Sequence, residues 1–362
     1  MRTASLTTSA LAALLFLSAC PSPFASDDDD HPVRRTGGTL GSGGSPSTGG
    51  EATGGTAGCG VPASFRWTSS APLITPASGS VSIKDPTVVF FDARWHVFAT
   101  DYSTSYGMVY LNFPDWDQAG TATKTLASTN PSLGGYKCAP QMFYFTPQNL
   151  WYLVYQTQAP AYSTSTNPSD INSWSPKQNF MTTMPSIITD SSTGWIDYWV
   201  ICDETFCYLF FSADNGSLYR TQTTKANFPN GFGDTVAVMT DSRNALFEAS
   251  NVYKIKGASQ YLLLVEAIGN GRYFRSFTAD ALDGQWTPLA ATEANPFAGR
   301  TNVTGAEWST DGISHGEMLR DGYDETMTID TCALRYLFQG RTQAGTTYDL
   351  NEYSLGLLTA AP

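Results

Sequence analysis

The stretch "DPTVVFFDARWHVFATDY", residues 85–102, has a polar start, a short apolar strand, a turn, and a second strand that ends polar. Four later stretches share the design: "PQMFYFTPQNLWYLVYQTQ" (140–158), "DYWVICDETFCYLFFSADNGSLYRTQ" (197–222), "EASNVYKIKGASQYLLLVEAIGNGRYFRSF" (248–277) and "HGEMLRDGYDETMTIDTCALRYLFQGR" (315–341). Their starts lie 55, 57, 51 and 67 residues apart, the spacing of a four-stranded propeller blade. Little helical periodicity accompanies them. The expected fold is all-β, a five-bladed β-propeller; an irregular sandwich with accidental spacing is the alternative.

In a propeller the innermost strand of each blade lines the central channel, so the strand starts converge at one end of the axis. Read in order, the starts are Asp85, Pro140, Asp197, Glu248 and His315. Three carboxylates and an imidazole therefore meet in one pocket. Like charges crowded in a partly desolvated site raise one another's pKa, a costly arrangement unless chemistry draws on it. Glycoside hydrolysis does so, with one carboxyl protonating the leaving oxygen while another, ionised, activates water.

Composition narrows the partners. Of 362 residues, 41% are hydrophobic and 14% charged, enough for a large core. The net charge of −12 repels an anionic polymer and argues against nucleic acid. Aromatics make up 13% of the chain, material for core packing and for stacking on sugar faces.

Residues 1–20 read as an export signal, with Arg2, an apolar run from Leu11 to Leu17, and "LSAC" ending at Cys20. The tetrad resembles a bacterial lipobox, which makes Cys20 the site of lipid attachment and tethers an extracytoplasmic protein to an outer membrane or cell surface. Residues 21–58 are rich in Gly, Ser, Thr, Pro and Asp and read as a flexible tether. Residues 59–362 form the catalytic domain, and nothing argues for more than a monomer. Of the remaining cysteines, Cys59 and Cys332 stand near the two ends of that domain and are expected to pair; Cys202 and Cys207 flank a turn, and Cys138 is left over. His96, inside an aromatic strand, reads as structural.

Longer strings carry a resemblance. "FRWTSSAPL" (65–73), "SIKDPTVV" (82–89), "NLWYLVYQ" (149–156), "YLFFSADNGSLYR" (208–220), "ALFEASNVY" (245–253), "VEAIGNGRYFRSFTA" (265–279), "ATEANPFAGRTN" (291–302), "DGISHGEMLR" (311–320) and "YLFQGR" (336–341) occur in this order. In them the sequence resembles glycoside hydrolase family 62, the α-L-arabinofuranosidases, from Cys59 to Leu358. That resemblance implies a five-bladed propeller that inverts configuration while releasing arabinofuranosyl side groups from plant cell-wall arabinoxylan or arabinan. It places the general base on Asp85, the general acid on Glu248 and a third carboxylate, which tunes the acid, on Asp197. Lys84 helps hold Asp85 ionised, and Glu248 lies between Phe247 and Ala249 in an apolar stretch, which favours the protonated form an acid needs. An inverting pair stands ~6.5–9.5 Å apart to admit water. The resemblance also implies a structural calcium ion in the channel, with His315 and Gln339 beside it.

The sequence departs from the family pattern at three places. Thr157-Gln158 replace a usual tryptophan, Asp197 continues as Tyr198-Trp199, and Asp349 follows Tyr348 at the rim. Tyr348 is an expected sugar contact, as are Lys84 and Asp349, while Tyr198, Trp199 or Tyr162 offer replacement stacking surfaces. A family 43 type xylosidase or arabinanase is the enzymatic alternative, and a non-catalytic glycan-binding lipoprotein the alternative of another class.

Overall fold

Apolar runs of five to eight residues, broken by turns, set the sheets of this chain. The computed structural model describes residues 59–191, 193–308, 312–343 and 348–361. The export signal with Cys20 and the tether lie outside the described residues. Blade I comprises Ser82–Phe91, Arg94–Tyr102, Tyr106–Phe113 and Thr125–Leu126. Blade II comprises Cys138–Phe145, Leu150–Gln156, Pro160–Ser165 and Gln178–Asn179. Blade III follows with Ile196–Cys202, Phe206–Ser212, Ser217–Thr224 and Val236–Thr240, and blade IV with Glu248–Ile255, Tyr261–Gly269, Gly271–Ala279 and Thr287–Pro288. Neighbouring strands within each are antiparallel. The inner strands are buried on both faces because adjacent blades cover them, which is why they read as near-continuous hydrophobic runs.

Blade V is assembled from both ends of the domain. Ser314–Met318, Arg335–Gly340 and Ser354–Ala360 pair in order, and the early strand Trp67–Ser69 completes the sheet, with Trp67 opposite Ala360 and Ser69 opposite Leu358. Val303–Gly305 runs parallel to that early strand at the outer edge. Gly305 has φ 102°, and a Cβ there would stand 2.5 Å from the carbonyl oxygen of Ser69, so the close pairing needs glycine. A Cys59–Cys332 disulfide ties the same seam, Cys202–Cys207 bridges a blade III turn, and Cys138 is buried and outside both bonds. The fifth sequence repeat is not a simple hairpin. Between its strands the chain leaves the blade, stacks Tyr323 on Trp151, and pairs Thr328–Ile329 with the inner strand of blade IV. Further along the channel, Arg320 Nε meets Glu317 at 2.7 Å and its Nη2 donates to the carbonyls of Val88 and Met142. This buried pair joins blades V, I and II.

Candidate active site

Each inner strand carries a β-bulge at one height in the channel. Pairing shifts register between Lys84 and Thr87, Cys138 and Gln141, Ile196 and Trp199, Glu248 and Asn251, and Ser314 and Gly316. In blades I to IV the first bulged residue is Asp85, Ala139, Asp197 or Ala249, all left-handed at φ 49°, 47°, 55° and 54°. That backbone costs a non-glycine residue on the order of 1–3 kcal/mol and persists where the surroundings hold it. The holding is visible. Each bulged N–H leaves the strand ladder and donates to a side chain of the preceding blade: Asp85 to Gln339 Oε1 (2.7 Å), Ala139 to Thr100 Oγ1 (2.8 Å), Asp197 to Gln156 Oε1 (3.3 Å), Ala249 to Asp197 Oδ2 (3.0 Å) and His315 to Glu266 Oε2 (3.0 Å). Thr100, Gln156, Glu266 and Gln339 hold one equivalent place, on the second strand opposite Lys84, Cys138, Glu248 and Ser314. The clasps form a closed ring.

The bulges bring charge together. His315 Nδ1 lies 3.3 Å from Asp85 Oδ1 and 3.9 Å from Asp197 Oδ2. Asp85, Asp197, Glu248 and His315 keep between 10% and 17% of their side-chain surface, enough for a ligand to reach them. Burial alone would raise Asp85, but the hydrogen bond and charge of His315, with Lys84 and the Thr100 hydroxyl, hold its carboxyl below the usual range. Burial opposes charge on His315 too, yet Asp197, Asp85 and Glu266 lift it to about 9. It is an imidazolium at neutral pH. Asp197 is pushed up to about 7 by burial, against His315 and with the help of Glu248 and Asp85.

On the other side of the pocket Arg272 Nη1 is shared, 2.9 Å from Glu248 Oε1 and 2.7 Å from Glu266 Oε1. Its guanidinium lies over the Phe247 ring, 5.0 Å from the centroid. Arg272 also lines a 340 Å³ cleft with Arg300, Glu307, Trp308 and Ile313. Behind these groups sits Asp214, in the turn between the second and third strands of blade III. It is left-handed at φ 48° and buried, and neither carboxyl oxygen has a hydrogen-bond partner. Burial first, then Glu248 and Asp197, push it up to about 9.

The model of glycosyl hydrolase family 62 matches residues 66–359. The chain belongs to that family. Alpha-L-arabinofuranosidase C of Cellvibrio japonicus (strain Ueda107) is 50% identical over 310 residues, 83% of this chain and 48% of that protein, so the chain spans about half the length of the curated relative it matches. Among solved structures, the catalytic domain of a family 62 α-L-arabinofuranosidase from Coprinopsis cinerea superposes with TM-score 0.80 at 49% identity, covering 83% of this chain and 98% of that one. An α-L-arabinofuranosidase from Podospora anserina, solved with cellotriose, gives 0.80 at 43% with the same coverage. A family 62 hydrolase solved with xylotriose gives 0.78 at 44%, covering 84% and 98%.

Within this family 62 propeller the residues singled out from sequence fall in different places. Asp85, Asp197 and His315 share the bulge height, whereas Glu248 stands one residue before its bulge and Pro140 one after Ala139. The five strand starts are therefore not one register. The apolar setting expected for Glu248 is interrupted by Arg272. Lys84 is 2% exposed, with Nζ donating to Tyr106 Oη at 3.4 Å, and Tyr106 in turn donating to Asp349 Oδ1 at 2.6 Å. It acts on Asp85 and Tyr106 and, being buried, is not the expected sugar contact. Tyr198, Trp199 and Tyr162 are not stacking surfaces: all three are buried. Tyr198 donates to the Trp195 carbonyl and Trp199 Nε1 to the Val252 carbonyl, because the bulge at Asp197 turns the next residues into the core. The Tyr348 side chain lies outside the described residues. His96 is buried, Nδ1 2.8 Å from Tyr110 Oη.

His315 and Gln339, expected beside a calcium ion, are both engaged with neighbouring side chains and backbone. Both amide atoms of Gln339 are engaged, Oε1 with Asp85 N–H and Nε2 with Ser314 Oγ at 3.1 Å, and the imidazolium turns Nδ1 to two carboxylates. Among the described residues no three His, Cys, Asp or Glu side chains form a metal-binding group. Sequence reading passed over Glu266, Arg272 and Asp214, although all three lie in the strings that carry the family resemblance.

Proposed function

We propose that this family 62 chain is an α-L-arabinofuranosidase that removes arabinofuranosyl side groups from arabinoxylan with inversion. The observation that carries the reading is the convergence of Asp85, Asp197 and Glu248 on one pocket, with Asp85 held as a carboxylate by His315. Asp85 is the general base: it takes a proton from the water that attacks the anomeric carbon. Glu248 is the general acid and gives its proton to the departing backbone oxygen, so both protons are accounted for and β-arabinofuranose leaves. Asp197 clasps the N–H of Ala249, fixing the bulge that presents Glu248. Relatives solved with xylotriose and cellotriose support a β-1,4-linked backbone as the leaving group, and the cleft that Arg272 lines is where this reading puts it. Asp349, tied to Tyr106, faces the sugar from the rim, and lipid attachment at Cys20 puts the domain outside the cytoplasm. Calcium belongs to this reading as an ion held through water, with no step routed through it.

The test is proton NMR of the full chain acting on arabinoxylan. β-Arabinofuranose appearing before mutarotation supports both the released sugar and inversion; folded protein that releases no arabinose refutes the reading.

A further inference from the structure

Four of the five clasps in the channel are made from one equivalent place on the second strand, filled by Thr100, Gln156, Glu266 and Gln339. A neutral side chain suffices for the clasp in blades I, II and V. At blade IV the place holds a carboxylate with no exposed surface, a costly choice unless the charge is used. The groups that meet this carboxylate are donors: Arg272 Nη1 to Oε1 (2.7 Å), Ser314 Oγ to Oε1 and Oε2 (2.9 and 3.2 Å), and His315 N–H to Oε2 (3.0 Å). Burial and the nearby Glu248 push this carboxyl upward, and the charge and hydrogen bond of Arg272 oppose them; four donor contacts suit the ionised form.

Arg272 carries one positive charge between two carboxylates, Glu266 and Glu248. If Glu248 were its sole partner, the cation would favour the ionised form of Glu248, which is useless to a general acid. We propose that Glu266 is a positioning residue that neutralises Arg272, leaving Glu248 free to hold the proton it delivers. The proposal rests on the reading of Glu248 as the acid. Facing Glu248 are Arg272 from the third strand of blade IV, Glu266 from its second strand, Asp197 from blade III and Asp214 from the adjoining turn. Of these, Glu266 touches the cation, at 2.7 Å. It also links the two halves of the site, since Ser314 Oγ, which donates to it, accepts from Gln339 Nε2, and Gln339 Oε1 holds the N–H of the base Asp85.

Glu266→Gln is the test, and Gln156 and Gln339 make the same clasp in blades II and V, so the ring accommodates it. The rate on arabinoxylan, whose alkoxide leaving group needs protonation, is followed against pH beside that on 4-nitrophenyl arabinofuranoside, whose phenolate needs little. Expected on arabinoxylan is a fall of the alkaline limb of kcat/KM by about one pH unit and a loss of roughly tenfold in kcat at pH 7, with KM within about threefold. The nitrophenyl substrate should lose less than about threefold. In the double variant Glu266→Gln/Arg272→Gln, with the cation gone as well, the alkaline limb should return to within about 0.3 unit of wild type. An unmoved limb, or equal losses on both substrates, overturns the proposal. A wild-type chain that releases no arabinose overturns the underlying reading instead.

Discussion

Replacing Asp214 with Asn should make the protein more stable, by an amount that grows with pH. The folded carboxyl is pushed from 3.8 to about 9 by burial and by Glu248 and Asp197, and neither oxygen has a partner. An acid raised in this way is protonated in both states below pH 3.8; above it the unfolded chain ionises while the folded chain does not. Stability is thus fully present below 3.8 and is lost progressively as pH rises through about 9. Each pH unit in that window is worth about 1.36 kcal/mol, so the interval from 3.8 to 7 sets a ceiling of about 4 kcal/mol. Local relaxation and water entry soften the burial, and ~2 kcal/mol is the expected gain at pH 7. At roughly 2 °C per kcal/mol for a domain of this size, Tm rises by ~4 °C. Melting both proteins by calorimetry from pH 4.5 to 8.5 isolates the effect, since any change in packing or hydrogen bonding caused by Asn is independent of pH. A Tm difference that stays flat across the range would show that Asp214 is not a buried neutral acid.

Asp85→Asn and Glu248→Gln should each lower turnover of arabinoxylan by on the order of 10²–10⁴, measured as released arabinose; a loss within a few-fold would remove that residue from its role. His315, raised to about 9 from 6.5, adds stability that is fully present below pH 6.5 and is lost as pH rises through about 9. His315→Asn should therefore narrow its Tm deficit above pH 9, and the acid limb of kcat/KM should move up by about one unit as Asp85 loses its partner. Chelation of calcium should leave kcat within about twofold while lowering Tm if the ion is structural, because no proton transfer passes through it.

The five-fold pattern was legible because each repeat holds an inner strand and its hairpin partner close in sequence. Blade V was not, since its sheet joins Trp67–Ser69 to Ser354–Ala360, and local patterning does not report a pairing across most of the chain. The carboxylates at 85, 197 and 248 were visible as polar residues at the edges of apolar runs. Glu266 and Arg272 were not, because they sit within strand patterns on the second and third strands, where a charged residue reads as a solvated face. Tyr198 and Trp199 misled for another reason. Residue type suggests stacking, but a bulge resets which face the following residues point to, and that shift is invisible without the pairing register.

The direction of the clasps gives the molecule a polarity that its near-symmetric outline conceals. Going round the channel, every blade is the custodian of the next: Gln339 sets the base, Gln156 sets Asp197, Asp197 sets the stretch bearing the acid, and Glu266 sets His315. Mutational damage should therefore travel one way, appearing in the chemistry of the blade after the one that was altered. Two mounts in this carousel, Ala139 and Ala249, carry no reactive group. Both are buried, Ala249 within the main core, so a larger side chain at either would strain the clasp rather than reach a ligand.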